Sequence, residues 1–109
     1  MSLELPVVGQ PRMDLPAPDV ADAVATAALL ADRTRAAILR MLADGPHCVC
    51  EMAAALDERD NNVSNHLARL RDAGMVRAIR HEANARFLYY ERDEAAVAAA
   101  RAAIESVLR

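Results

Sequence analysis

The sequence has no tryptophan and no lysine, and its only aromatic residues are Phe87, Tyr89 and Tyr90. A core without bulky rings must be aliphatic, and the abundance of alanine favours helices that approach one another closely. There is no glycine-rich phosphate loop and no Ser/His/Asp arrangement suited to a pocket, so an enzyme is not expected. No uncharged apolar run is long enough to span a bilayer, and no signal peptide opens the chain. A cytoplasmic protein without a membrane partner is expected. Cysteine occurs only at Cys48 and Cys50. Two cysteines separated by one residue make a strained disulfide, so both thiols are expected to be reduced.

At 109 residues the chain is one domain, small enough that a partner subunit helps it bury an adequate core. Apolar residues make up 54 % of the sequence, which argues against disorder. The formal net charge of −3 speaks against a nucleic-acid protein taken whole, but the distribution matters more. From Asn61 to Tyr90 there are five arginines (Arg69, Arg71, Arg77, Arg80, Arg86) against Asp72 and Glu82, a local charge of +3. The remainder carries −6. Positive charge gathers where a DNA surface would need it.

Residues 1–18 contain Pro6, Pro11, Pro16 and Pro18 without a clear period and read as an extended arm. The folded domain then occupies residues 19–109. From Asp19 to Ala31, Val20, Val24, Ala27, Ala28 and Ala31 form an apolar stripe at helical spacing. Asp32 can cap a second helix from Thr34 to Ala43, with Ile38, Leu39 and Leu42 inward, and Gly45-Pro46 ends it. A third helix is expected from Cys48 to Leu56. After the polar run Asp57-Glu58-Arg59-Asp60, a fourth helix spans 61–73, with Asp60 as its N-cap and Gly74 as its stop. Its buried seam is Val63, Leu67 and Leu70. Strand formers in Met75–His81 and Arg86–Glu91 flank Asn84, which suits a hairpin turn. Asp93 caps a last helix through Leu108, with Val97, Ala100, Ile104 and Leu108 in its stripe. This order is a mainly α fold with a small β-hairpin, a winged helix-turn-helix. The alanine-rich faces of the first and last helices exceed what a small core needs, so they are expected to pair in a homodimer.

With Val63, Leu67 and Leu70 inward, the fourth helix presents Asn61, Asn62, Asn65 and Arg69. Asn can bond adenine bidentately, and Arg can bond guanine or phosphate. Ser64, near the helix start, suits a phosphate contact. His66 sits closer to the seam and fits a structural role or a DNA contact. Arg80 and Arg86 flank the hairpin tip, where they can hold backbone or minor groove. Double-stranded operator DNA is the expected partner.

Three motifs stand in order: Asp32-Arg33-Thr34-Arg35, Cys48-Val49-Cys50-Glu51-Met52-Ala53, and Val63-Ser64-Asn65-His66-Leu67 with its continuation to Gly74. Together they resemble the ArsR/SmtB family of metal-responsive bacterial repressors, the first being similar to that family's second-helix opening. Cys48-Val49-Cys50-Glu51-Met52-Ala53 resembles its third-helix metal box. Val63-Ser64-Asn65-His66-Leu67, followed by Leu70-Arg71-Asp72-Ala73-Gly74, resembles its recognition helix and the entry to its wing. The resemblance covers residues 19–108 and implies a repressor released from DNA by a thiophilic ion: Cd, Pb, As, Zn or Ni. Cys48 and Cys50 are the ligands it implies, with adjacent His47 a candidate third. The family's frequent third cysteine is replaced by Ala53, and the arm supplies none. Asp60 stands where the family usually has an uncharged polar residue. On a regular helix the two sulfurs would point about 200° apart, so capture of one ion requires the first turn to unwind. Two alternatives stay open: a regulator responding to oxidants or reactive sulfur through the same thiols, and a co-regulatory partner that binds DNA weakly by itself.

Overall fold

A computed structural model describes residues 4–80 and 88–109. Residues 4–20 are exposed and form neither helix nor strand. Five helices follow: α1 (Ala21–Leu30), α2 (Arg33–Met41), α3 (Val49–Leu56), α4 (Asp60–Asp72) and α5 (Glu94–Leu108). Three short strands, β1 (His47–Cys48), β2 (Val76–Arg80) and β3 (Leu88–Arg92), form an antiparallel sheet in the order β1-β3-β2. This is a winged helix-turn-helix. The expected turn around Asn84, with Arg86 and Phe87, falls outside the described residues.

Local chemistry sets most of the boundaries. Asp32 accepts a hydrogen bond from the Arg35 amide at 3.0 Å and caps α2. Asp93 does the same for α5 through the Ala96 amide at 2.9 Å. A 3-10 turn (Leu42–Asp44) continues α2 until Gly45, whose φ of 130° requires a residue without Cβ. Gly74, at φ 76°, ends α4 in the same way. Asp60 is not the cap of α4: Arg59 occupies that position without a side-chain bond, and Asp60 is the first helical residue. There its carboxylate faces the positive end of the helix dipole.

The core lies between α2, α3, α4 and the sheet. Ile38, Met52, Val63, Leu67 and Leu70 are fully buried, and Leu42, Met75, Val76 and Tyr90 close around them. The expected seam of α4 is therefore its buried face. β1 was not anticipated from sequence. It pairs with the wing strand, His47 opposite Tyr90 and Cys48 opposite Tyr89. The hairpin register sets Ile79 opposite Tyr89 and Arg80 opposite Leu88.

α1 and α5 pack against each other at the edge of this core. Ala23 is the one buried residue of α1, and α5 has none. Val20, Ala23, Val24, Ala27, Ile104, Val107 and Leu108 line an open apolar groove of about 300 Å³ between them. Half-buried Arg92 joins this pair to the core. It donates to Glu94 at 2.8 Å and to the Leu39 carbonyl at 3.3 Å. Among the described residues, no helix is long and apolar enough to cross a membrane.

Candidate nucleic-acid interface

Packing sorts the polar residues of α4 into two rows. Asn61, Asn65 and Arg69 recur every fourth residue, so they share one face opposite the buried seam. All three are exposed, as is Ser64 beside them. Among the described residues, no hydrogen bond or ion pair engages the guanidinium of Arg59, Arg69, Arg71 or Arg80. Arg59 directly precedes α4. Its signal was present in the sequence, as the one base within Asp57-Glu58-Arg59-Asp60, but the surrounding acids concealed it.

Asn62 and His66 form the second row, half-buried and turned toward the start of α2. The Asn62 amide donates to Glu58 Oε2 at 2.7 Å, and the other oxygen of Glu58 takes a long 3.5 Å contact from Thr34 Oγ1. His66 Nδ1 lies 3.3 Å from Arg35 Nη1 and 3.8 Å from Asp32 Oδ1. The Asp32 carboxyl is held below its ordinary range, chiefly by the bond from the Arg35 amide. Asn62 and His66 are thus fastened to the protein itself.

On the wing, Arg77 is already neutralised by Glu91 at 2.9 Å and Asp93 at 3.3 Å. Arg80, at the outer end of β2, is exposed. Arg86 lies outside the described residues.

The cysteine corner differs from expectation. The structure joins Cys48 and Cys50 as a disulfide. The expectation of divergent sulfurs assumed a helix starting at Cys48, yet α3 starts at Val49. Cys48 is the N-cap, in extended conformation at φ −83° and ψ 163°. The rotation of about 100° per residue that separates helical side chains therefore does not apply to it. No unwinding is needed to bring the sulfurs together. Cys48 is buried and Cys50 exposed. Cys48 Sγ accepts from the Glu51 amide at 3.4 Å, while Glu51 Oε1 accepts from the Cys48 amide at 3.0 Å, a reciprocal capping box. Glu51 Oε2 lies 3.4 Å from His47 Nδ1. The Cys48 amide, followed by His47, holds the Glu51 carboxyl below its usual value. Among the described residues, no group of three or more His, Cys, Asp or Glu side chains converges on a metal position.

Residues 32–78 match the family model of "Bacterial regulatory protein, arsR family". The arsenical resistance operon repressor of Escherichia coli is 43 % identical over 49 residues, which make up 44 % of this chain and 42 % of that protein. The matched segment thus spans about two fifths of the curated relative's length. A solved structure described as a possible transcriptional regulator for arsenical resistance superposes with a TM-score of 0.69 at 28 % identity, covering 77 % of this chain and 84 % of that one. Reduced HlyU from Vibrio cholerae gives a TM-score of 0.63 at 29 % identity, over 74 % and 83 % of the two chains.

Proposed function

We propose that this chain, whose residues 32–78 match the model of bacterial regulatory proteins of the arsR family, is a homodimeric operator-binding repressor governed by the chemistry of Cys48 and Cys50. The observation that carries the DNA-reading part is the free polar row Asn61, Ser64, Asn65 and Arg69 on a helix whose opposite side is wholly buried. Bases are read from this row, Asn61 and Asn65 suiting adenine edges and Arg69 guanine or phosphate. Arg59, Arg71 and Arg80 add phosphate contacts around it, and Arg86 joins them by its position in the sequence between the two wing strands. The open groove between α1 and α5 supports pairing of two copies about a two-fold axis.

The cysteine corner supports sulfur-based control because β1 links it to the wing. Reduced, the pair offers two soft donors to a thiophilic ion of the Cd, Pb, As, Zn or Ni class. The resistance to arsenic named for the relatives favours trivalent arsenic within that class. His47 is the candidate third ligand; a water or hydroxide completes the sphere otherwise. An ion that takes the Cys48 sulfur lone pairs competes with the cap on the Glu51 amide, loosening the start of α3 where it meets the wing strand. Release from DNA follows from that disturbance.

The disulfide favours a second reading of the same corner. A hydroperoxide can take two electrons from the dithiol, leaving as alcohol and water while the S–S bond forms. The ion and the disulfide are mutually exclusive states of the pair. A panel of metal and metalloid ions titrated against operator affinity, with Cys48→Ser and Cys50→Ser, tests the proposal. Ion control predicts loss of affinity with one ion class, abolished in both variants. Control by oxidation predicts that hydroperoxide, and none of the ions, releases DNA. If the wild-type chain binds no DNA even at low salt, the co-regulatory role is what remains.

A further inference from the structure

Three helices meet at Arg35. Its Nε donates to the Leu29 carbonyl at 2.7 Å and its Nη2 to the Ala28 carbonyl at 3.4 Å. Both carbonyls belong to the last turn of α1, where acceptors run short of helical donors; the Ala28 carbonyl also takes a long 3.4 Å bond from the Ala31 amide. Its backbone amide is the donor that Asp32 uses to cap α2. Its Nη1 reaches His66 in the middle of α4. A guanidinium can only donate, so the Nδ1 atom of His66 is the acceptor, as in a neutral imidazole protonated on Nε2. One planar group with a fixed fork of donors therefore ties the end of α1 to the recognition helix.

A second tie runs parallel to the first, from Thr34 through Glu58 to Asn62. Asn62 and His66 are four residues apart, so the two ties hold one side of α4 while its neighbouring face stays free for bases. The charge-assisted bonds from the Arg35 guanidinium to the helix end are also distinct from packing. The buried seam fixes how deep α4 sits, whereas a directed polar fork fixes its rotation and its offset from α1.

We infer that Arg35 is a positioning residue for DNA reading. Acting through His66, it sets the recognition helix relative to the α1–α5 face, and thereby the separation of the two recognition helices in a dimer. The inference rests on the DNA-reading proposal above. A dimer matches two half-sites only if that separation equals their spacing along the duplex.

The test uses the full chain and the tightest duplex it selects from a random pool. Three probes are compared: that duplex, versions with the half-site spacing changed by one or two base pairs, and a single half-site. Arg35→Gln is expected to lose about tenfold in affinity for the selected duplex and most of the wild-type discrimination between spacings. Its affinity for the single half-site should stay within about twofold of wild type, because no base contact is removed. His66→Asn breaks the same tie from the other side with the α1–α2 corner intact, and should show the same loss should Arg35→Gln fail to fold. Unchanged discrimination between spacings, or an equal loss on full and half sites, overturns the inference. Hydrogen exchange provides a readout without DNA. Faster exchange along α4 in Arg35→Gln, with β2 and β3 unchanged, supports the tie, and wild-type exchange along α4 overturns it. Selection of no duplex by the wild-type chain is the failure of the DNA-reading proposal alone, and hydrogen exchange then decides the positioning role.

Discussion

α4 and α5 are both amphipathic helices of similar make, yet they stand differently in the fold. α4 sends Val63, Leu67 and Leu70 into the core until nothing of them is exposed. α5, two residues longer, has no fully buried side chain, and Val107 and Leu108 at its end are 50 % and 79 % exposed. The α2–α3–α4–sheet unit completes its own core within one chain. The α1–α5 pair carries apolar surface that one chain leaves open, and the hydrophobic effect completes it only when another surface arrives. Stability should therefore split into a part independent of concentration, located around α4, and a part that depends on it, located around α5.

The largest expected effect lies on the self-sufficient side. Leu67→Ala removes a fully buried side chain from the centre of the core and should destabilise the chain by about 2–5 kcal/mol. Denaturant unfolding checks this, and the loss should be the same across protein concentrations. A loss that vanishes at high concentration would place α4 in an interface and break the contrast.

Next in size is the open side. Ile104 lines the α1–α5 groove and is only half-buried. Ile104→Glu should cost the single chain little, because the carboxylate can reach water there. It should weaken self-association by about tenfold or more, since each of two copies would carry a charge into an apolar contact. Sedimentation across a concentration series reads the shift, with circular dichroism confirming intact helices. Wild-type association in this variant would move the dimer elsewhere.

The same contrast explains what could be foreseen from sequence. The three apolar residues at helical spacing in α4 gave its buried face directly, and Asp32 and Asp93 marked two helix starts through side-chain chemistry that needs only local neighbours. β1 escaped notice because two residues carry no period, and the strand exists only through its pairing with Tyr89 and Tyr90, some forty residues onward. That pairing draws Cys48 out of the helix, which is why a helical projection misplaced its sulfur. The split between free and fastened polar residues of α4 was equally non-local. Asn62 and Asn61 are indistinguishable in sequence until Glu58 and Thr34 are brought beside one of them.

The smallest expected effect tests whether the cysteine corner belongs to the self-sufficient side. Glu51 has its folded pKa below the ordinary 4.5, chiefly through the bond from the Cys48 amide. A carboxyl lowered on folding stabilises the fold fully above its unfolded pKa, and that contribution is lost as pH falls through the folded value. Wild-type stability should therefore decline below about pH 4.5 with a share belonging to Glu51. Glu51→Gln should lower stability at pH 7 by about 0.5–1 kcal/mol, in the range of a lost helix cap. Because Glu51 is half-exposed, solvent screening keeps that effect at the lower end. The difference between wild type and Glu51→Gln should shrink as the pH falls toward 3 and should not change with protein concentration. Dependence on concentration would tie the corner to the α1–α5 face instead of to the core and wing.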